Sequence, residues 1–321
     1  MRRYKVAICR FPGSGWEHNG CVTWLMKTFG EMLRDPTIEH VDTLTETDTP
    51  ITMVRNRLVK QALDLGSDYI LMVDSDMVPD YLVGRKAGAR PFWATAWAWM
   101  MRRRQAEAEA GDLLAHEHNA LFAPATIAAP YCGPPPDECV LIFKWKDRET
   151  GARDPNFRLE MFEREEAAFR SGFEEVAAMG TGLILYDSRV FRRLKAPWFA
   201  YEYGDVEETI KASTEDVYQT RNASMLKLPQ MVLWCSWAAH VKPKYVLKPN
   251  PLTRDQVHES LVEAALQGRD SKKTLAFVTR HDGPPLPLVP RVSGIDLEGI
   301  KIAGRCLPAE VTADEGDVEL R

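Results

Sequence analysis

A chain of 321 residues has room for one large α/β domain with additions, or for two domains. Its apolar content of 45%, charged content of 27% and net charge of −5 are those of a soluble globular protein with no general pull toward nucleic acid or membrane. Six cysteines without a C-x-x-C pair exclude a thiolate zinc site and a small disulfide scaffold, and no apolar run approaches the ~18 residues of a membrane span.

The opening residues Met1-Arg-Arg-Tyr-Lys run into a strand, Tyr4 to Cys9, and not into a signal segment, so a cytoplasmic protein with reduced thiols and no anchor of its own is expected. Phe11-Pro12-Gly13-Ser14-Gly15 is a turn with accessible backbone N–H groups, either a lip over a nucleotide or an ordinary β–α loop. Cys21 to Leu33 has helical periodicity, with Val22, Leu25, Met26, Phe29 and Leu33 on one face. Glu39 to Leu44 is the next strand. Thr49-Pro50 caps a helix from Ile51 to Leu65 that carries Arg55 and Asn56, and Gly66-Ser67-Asp68 stops it.

The next strand, Tyr69-Ile-Leu-Met-Val, has no polar face and is therefore buried on both sides. It ends in Asp74-Ser75-Asp76. Two carboxylates one residue apart repel, and a divalent cation with hard oxygen ligands would compensate them. A strand end followed by a turn explains the same residues more plainly. Strands alternating with helices over short loops predict a mostly parallel sheet with helices on both faces.

Trp93, Trp97 and Trp99 alternate with small residues ahead of Arg102-Arg103-Arg104, with Arg85, Lys86 and Arg90 before them. Such a stretch either stacks bases and holds phosphates or is a helix with one buried aromatic face and one solvated basic face. Strands follow at Ala123–Tyr131 and Cys139–Trp145, with a hairpin partner at Arg158–Phe162, a charged helix at Glu163–Ser171 and a short strand at Val176–Met179. Gly180-Thr181-Gly182 permits close approach of another group to the backbone before the strand Leu183–Tyr186. Asp187 to Leu194 is a helix. Ser213-Thr214-Glu215-Asp216 opens another, where acidic residues also serve the helix dipole. An apolar strand, Met231 to Trp237, leads to His240 and the lysines Lys242 and Lys244. Leu252 to Leu266 is the last predicted helix. A proline-rich segment and an acidic, mobile tail are expected beyond it.

The order of these pieces resembles the GT-A type of glycosyltransferase, its family-2-like members and the versions found among phage proteins. The opening strand and loop, Arg55-Asn56, Asp74-Ser75-Asp76, Gly180-Thr181-Gly182, Thr214-Glu215-Asp216 and His240 carry the resemblance, over about three quarters of the chain. The Trp/Arg-rich stretch after Gly88 does not match, and the Gln-x-x-Arg-Trp motif of processive members is missing from the sequence. The resemblance implies a Rossmann-like GT-A domain over residues 1–250 with a helical insertion near 85–120, followed by an extension over 251–321.

It also implies a nucleotide-sugar donor, usually a UDP-sugar, and Mn²⁺ or Mg²⁺ on Asp74, Asp76 and His240. Phe11, Pro12, Gly13, Arg55, Asn56, Asp74, Ser75 and Lys242 would hold the nucleotide. Asp216, with Glu215 second, would be the base. Gly180, Thr181, Gly182 and Trp198 would face the acceptor, with a retaining course left open beside an inverting one. A hydroxymethylated base in DNA, a glycan, a protein side chain and a small metabolite are the candidate acceptors, and the acidic net charge weighs against DNA. A catalytically silent binding module and a metal-dependent nucleotidyltransferase are the alternatives.

Overall fold

The structure is a computed structural model that describes residues 2–12, 17–47, 50–110, 122–133, 139–146, 159–203 and 211–241. Gly13, Lys242 and the expected helix at Leu252–Leu266 with everything after it lie outside the described residues.

The first half runs β1 (Tyr4–Phe11), α1 (Asn19–Arg34), β2 (Ile38–Thr45), α2 (Ile51–Asp64) and β3 (Tyr69–Asp74), as the alternating pattern predicts. A two-residue strand β4 (Met77–Val78) and the long helix α3 (Phe92–Ala110) follow. Next come β5 (Thr126–Ala128), β6 (Ile142–Trp145), β7 (Leu159–Met161), α4 (Arg164–Ala168), β8 (Phe173–Glu175), β9 (Ala178–Met179), β10 (Leu183–Asp187) and α5 (Arg189–Arg193). The described residues end with β11 (Glu202–Tyr203), β12 (Lys211–Ser213), α6 (Glu215–Met225), β13 (Gln230–Leu233) and β14 (Ala239–His240).

Seven strands form the central sheet in the order β2-β1-β3-β10-β5-β13-β8. Only β10 and β8 run against the others, so the sheet is mostly parallel. β3 lies between β1 and β10, and its residues from Tyr69 to Val73 are at most 1% exposed. That position explains why its sequence lacks a polar face. Helices cover both faces. α1 and α3 pack with Val6, Ile8, Leu71 and Leu185 on one side, and α2 and α5 pack with Ala7, Cys9, Met72 and Ile184 on the other. This is the Rossmann-like α/β class that the order of elements predicts. Among the described residues no helix is long and apolar enough to cross a membrane.

Two local expectations change. The buried face of α1 is Cys21, Trp24, Leu25, Thr28 and Met32, while Met26 and Leu33 are 72% and 63% exposed. The helix is turned so that its largest ring, Trp24, enters the core and donates to Asp80 at 2.7 Å. The Trp/Arg stretch forms α3, and its aromatics are core. Trp93 and Trp97 are buried and stacked at 5.0 Å, and the Trp97 indole donates to Thr37. Arg103 donates to the Ala123 carbonyl and stands over Trp99, and Arg104 donates to the Tyr69 hydroxyl and pairs with Asp187. Two of the three consecutive arginines are thus engaged inside the protein, while Arg85, Lys86, Arg90 and Arg102 are exposed.

Candidate active site

β1 leads through α1 to β2 on one side of it, and β3 lies on its other side. The carboxyl ends of β1 and β3 therefore flank the point where the winding of the sheet reverses, which is where open α/β sheets bind ligands. The last residues of the two strands, Phe11 and Asp74, are register partners there. The apolar run of β3 delivers Asp74 to this edge, and the turn after it carries Ser75 and Asp76. The Ser75 carbonyl accepts the His18 N–H ahead of α1, and the His18 ring caps that helix by accepting from Gly20 N–H at 3.0 Å.

Arg55 projects from the first turns of α2 into this corner and is 3% exposed. Its Nη2 donates to both Asp74 oxygens at 3.0 and 3.1 Å, and its Nη1 donates to Glu215 Oε1 at 3.1 Å. The guanidinium lies between the rings of Phe11 and Phe199, at 5.4 and 5.8 Å. Burial opposes its charge, but Asp74 and Glu215 outweigh burial and raise its pKa. Burial also raises the pKa of Asp74 and of Glu215, against the pull of Arg55. Arg55 and Phe11, expected beside a nucleotide, are both buried and contact each other. Pro12 is buried beside them.

Asn56 is likewise turned inward. Its side chain donates to the carbonyls of Thr52 and Phe199 and accepts from the N–H groups of Trp198 and Phe199. It pins the 198–199 segment to α2, in place of a role toward a nucleotide. Trp198 packs edge-on against Phe191, donates to its carbonyl and is half-buried.

Asp76 meets His240, brought from the end of the sequence by the antiparallel pairing of β14 with β4. His240 Nε2 is 3.3 Å from Asp76 Oδ2, and His240 Nδ1 is 2.9 Å from the Cys132 carbonyl. A carbonyl only accepts, so Nδ1 carries the proton and a neutral ring turns the Nε2 lone pair toward the carboxylate. Positive charge belongs between two such acceptors, as a ring proton or a metal ion. Their separation also matches adjacent ligands of an octahedral ion bonded at 2.0–2.1 Å, which stand about 3 Å apart. Of the three residues expected to hold a metal, Asp76 and His240 lie together. Asp74 does not join them, since Arg55 takes both its oxygens, and among the described residues no three His, Cys, Asp or Glu side chains form a ligand set.

The close approach that Gly180 and Gly182 permit is used by the protein itself. A Cβ on Gly180 would overlap the Tyr131 hydroxyl, and one on Gly182 would stand 2.9 Å from Met77 Cε and 3.0 Å from Tyr131 Cζ. Thr181 is fully buried. The turn is a seat for Tyr131 and not an open acceptor floor. Tyr131 accepts the Gly182 N–H at 3.2 Å, and the Gly182 carbonyl accepts the Asp74 N–H at 2.8 Å. The Tyr131 ring meets the His240 ring edge-on at 5.3 Å. Tyr131 therefore contacts His240 directly and is linked to Asp74 through Gly182. No motif marks it in the sequence; only its position before Cys132, at the end of a strand, hints at it.

Glu215 and Asp216 open α6. Glu215 is 8% exposed and committed to Arg55, whereas Asp216 is half-buried. The Asp216 carboxylate accepts from the Thr214 hydroxyl and the Val217 N–H. Its charge raises the pKa of Tyr131, after burial, and contributes to the rise at Asp74 and Glu215, which puts it within electrostatic reach of the whole cluster.

No protein family matches the sequence, and no curated protein does. Among solved structures, A197 from STIV is similar at 15% identity and a TM-score of 0.42, over 75% of this chain and 86% of that one. GalNAc-T7, crystallised with UDP, GalNAc and Mn²⁺, is similar at 9% identity and a TM-score of 0.34, over 99% of this chain and 55% of that one. HddC from Yersinia pseudotuberculosis is similar at 8% identity and a TM-score of 0.28, over 74% and 93%. All three fall below a TM-score of 0.5, and nothing about this chain's substrate follows from them.

Proposed function

We propose that this chain is a metal-dependent glycosyltransferase that moves a sugar from a nucleotide-sugar, usually a UDP-sugar, to an acceptor hydroxyl. The observation that carries the reading is the Asp76–His240 pair, two acceptors facing each other at the carboxyl end of the central strand beside an Arg55-bound Asp74. Asp76 and His240 would hold Mn²⁺ or Mg²⁺, which when bound neutralises charge on the diphosphate leaving group. The Cys132 carbonyl keeps the His240 tautomer fixed, and Tyr131 keeps its ring in place. Arg55 holds Asp74 and the start of α6 in one rigid corner.

Asp216 is the base of this reading. It takes the proton of the acceptor hydroxyl while that oxygen bonds to the anomeric carbon. The bond from that carbon to the diphosphate breaks, and the nucleoside diphosphate leaves with the electron pair. Its half-buried position and the proximity of Asp74 and Glu215 keep it in a negative, partly desolvated setting.

The test is release of UDP from UDP-glucose, UDP-GlcNAc and related donors in the presence of Mn²⁺. Slow release without acceptor, lost on chelation, supports the reading. Absence of turnover with every nucleotide-sugar tried, with or without acceptor, sinks it. Pyrophosphate formed from a nucleoside triphosphate and a sugar phosphate would move the chain to nucleotidyl transfer instead.

A further inference from the structure

The Gly180–Gly182 turn is filled by Tyr131, and Trp198 is half-buried against Phe191. An open cleft lies on the other side of Cys132. Leu82, Lys86, Cys132, Val140, Ala168 and Trp237 line it, and its cavity volume is about 150 Å³, room for a single ring. Cys132 joins it to the acidic site directly, because its carbonyl holds His240, whose other nitrogen faces Asp76.

The wall chemistry is specific. Val140 and Ala168 are apolar, and Val140 is 2% exposed. Trp237 is half-buried, with its ring tilted on Trp234 at a centroid distance of 5.9 Å, so one indole is fixed by another. Lys86 is exposed and makes no ion pair among the described residues. Among the side chains that line the cleft, Lys86 carries the charge and Trp237 the broad apolar ring. A ligand that complements them brings a flat apolar face for Trp237 and an anionic group for Lys86.

We propose that this cleft is the acceptor subsite, and that it takes a small ring-shaped acceptor carrying a carboxylate or phosphate. Trp237 receives the ring face and Lys86 reads the charge. The hydroxyl to be modified then points along Cys132 toward Asp76 and His240. This rests on the transferase reading, but the cleft can be tested without turnover.

The probes are 4-nitrophenyl β-D-glucuronide, its neutral counterpart 4-nitrophenyl β-D-glucoside, and 4-nitrophenyl phosphate, titrated into the full chain by calorimetry. Both anionic probes are expected to bind at least about tenfold more tightly than the glucoside, the worth of one charge-assisted contact. Comparing glucuronide with phosphate distinguishes a carboxylate from a phosphate source. Lys86→Ala removes the preference and Lys86→Arg keeps it; Ala168→Trp, which adds a ring to the cleft from an exposed position, removes binding of all three. Equal affinity for charged and neutral probes, or an unchanged preference in Lys86→Ala, overturns the proposal. Because Lys86 is exposed, its replacement leaves the fold intact, and circular dichroism of the variant checks that. If UDP is released from a sugar nucleotide but the anionic preference is missing, this inference fails alone. If the preference is present and no donor turns over, the transferase reading fails and the cleft stands as a binding site.

Discussion

Arg55 donates to Glu215 at 3.1 Å across 160 residues of chain, and its other terminal nitrogen holds both oxygens of Asp74. One buried cation thus ties the end of the central strand to the first turn of α6. The two carboxylates were drawn from separate sequence motifs, and the cation that joins them from a third.

Removing that cation strands two negative groups away from water. Arg55→Met is expected to cost about 3–5 kcal/mol, the usual cost of breaking a buried pair from one side. Urea denaturation measures it. A loss under about 1 kcal/mol would mean that solvent reaches Asp74 and Glu215 easily and that the corner is not held by Arg55.

The acidity of Glu215 gives the second expectation. Burial raises its pKa in the folded chain. Between an unfolded value of about 4.3 and that raised value, the folded state keeps a proton that the unfolded chain has lost. The stability contributed by the group is therefore full below the unfolded pKa and declines as pH rises through the folded one. Glu215→Gln cannot titrate. Its stability relative to the native chain should improve as pH rises from about 4 to 7. A steady worsening over that range would show that the pull of Arg55, and not burial, dominates this site.

The glycines make a third case. Gly180→Ala forces the Tyr131 hydroxyl aside and is expected to destabilise by about 1–3 kcal/mol. Gly30→Ala, inside α1, meets nothing nearer than the tip of Arg34 at 3.9 Å. It should stabilise by about 0.5–1 kcal/mol through helix propensity. Thermal melts of the two variants report the contrast, and a neutral Gly180→Ala would mean that Tyr131 does not occupy its seat.

For the chemistry, Asp216→Asn is expected to retain donor binding and fold, since its amide oxygen can still accept from the Thr214 hydroxyl and the Val217 N–H. Transfer should fall by about 10²- to 10⁴-fold, the range of a lost general base. Asp76→Ala and His240→Ala should each abolish metal-dependent release of UDP. Ordinary transfer by Asp216→Asn removes it as base, and full release by either of the other variants removes that residue from the metal pair.

The sequence by itself determined the repeating strand–helix order and the place of the acidic pair. Both depend on short-range pattern: an apolar run too uniform for one exposed face, helical spacing of α2, and a carboxylate where the run stops. It misjudged which side of α1 is buried, because Met26 and Leu33 fit a helical stripe as well as Trp24 and Met32 do. The order also named Arg55, Asn56, Gly180, Gly182 and Trp198 without indicating which way they turn.

Only the tertiary structure decided that direction. Each of these residues could face a ligand or the protein, and the choice is made by partners far along the chain: Glu215 for Arg55, the 198–199 backbone for Asn56, and Tyr131 for the two glycines. A buried polar group or an open backbone must be satisfied by whatever the fold brings beside it. Local spacing fixes where such a group sits along its element, and only packing of distant elements fixes what answers it.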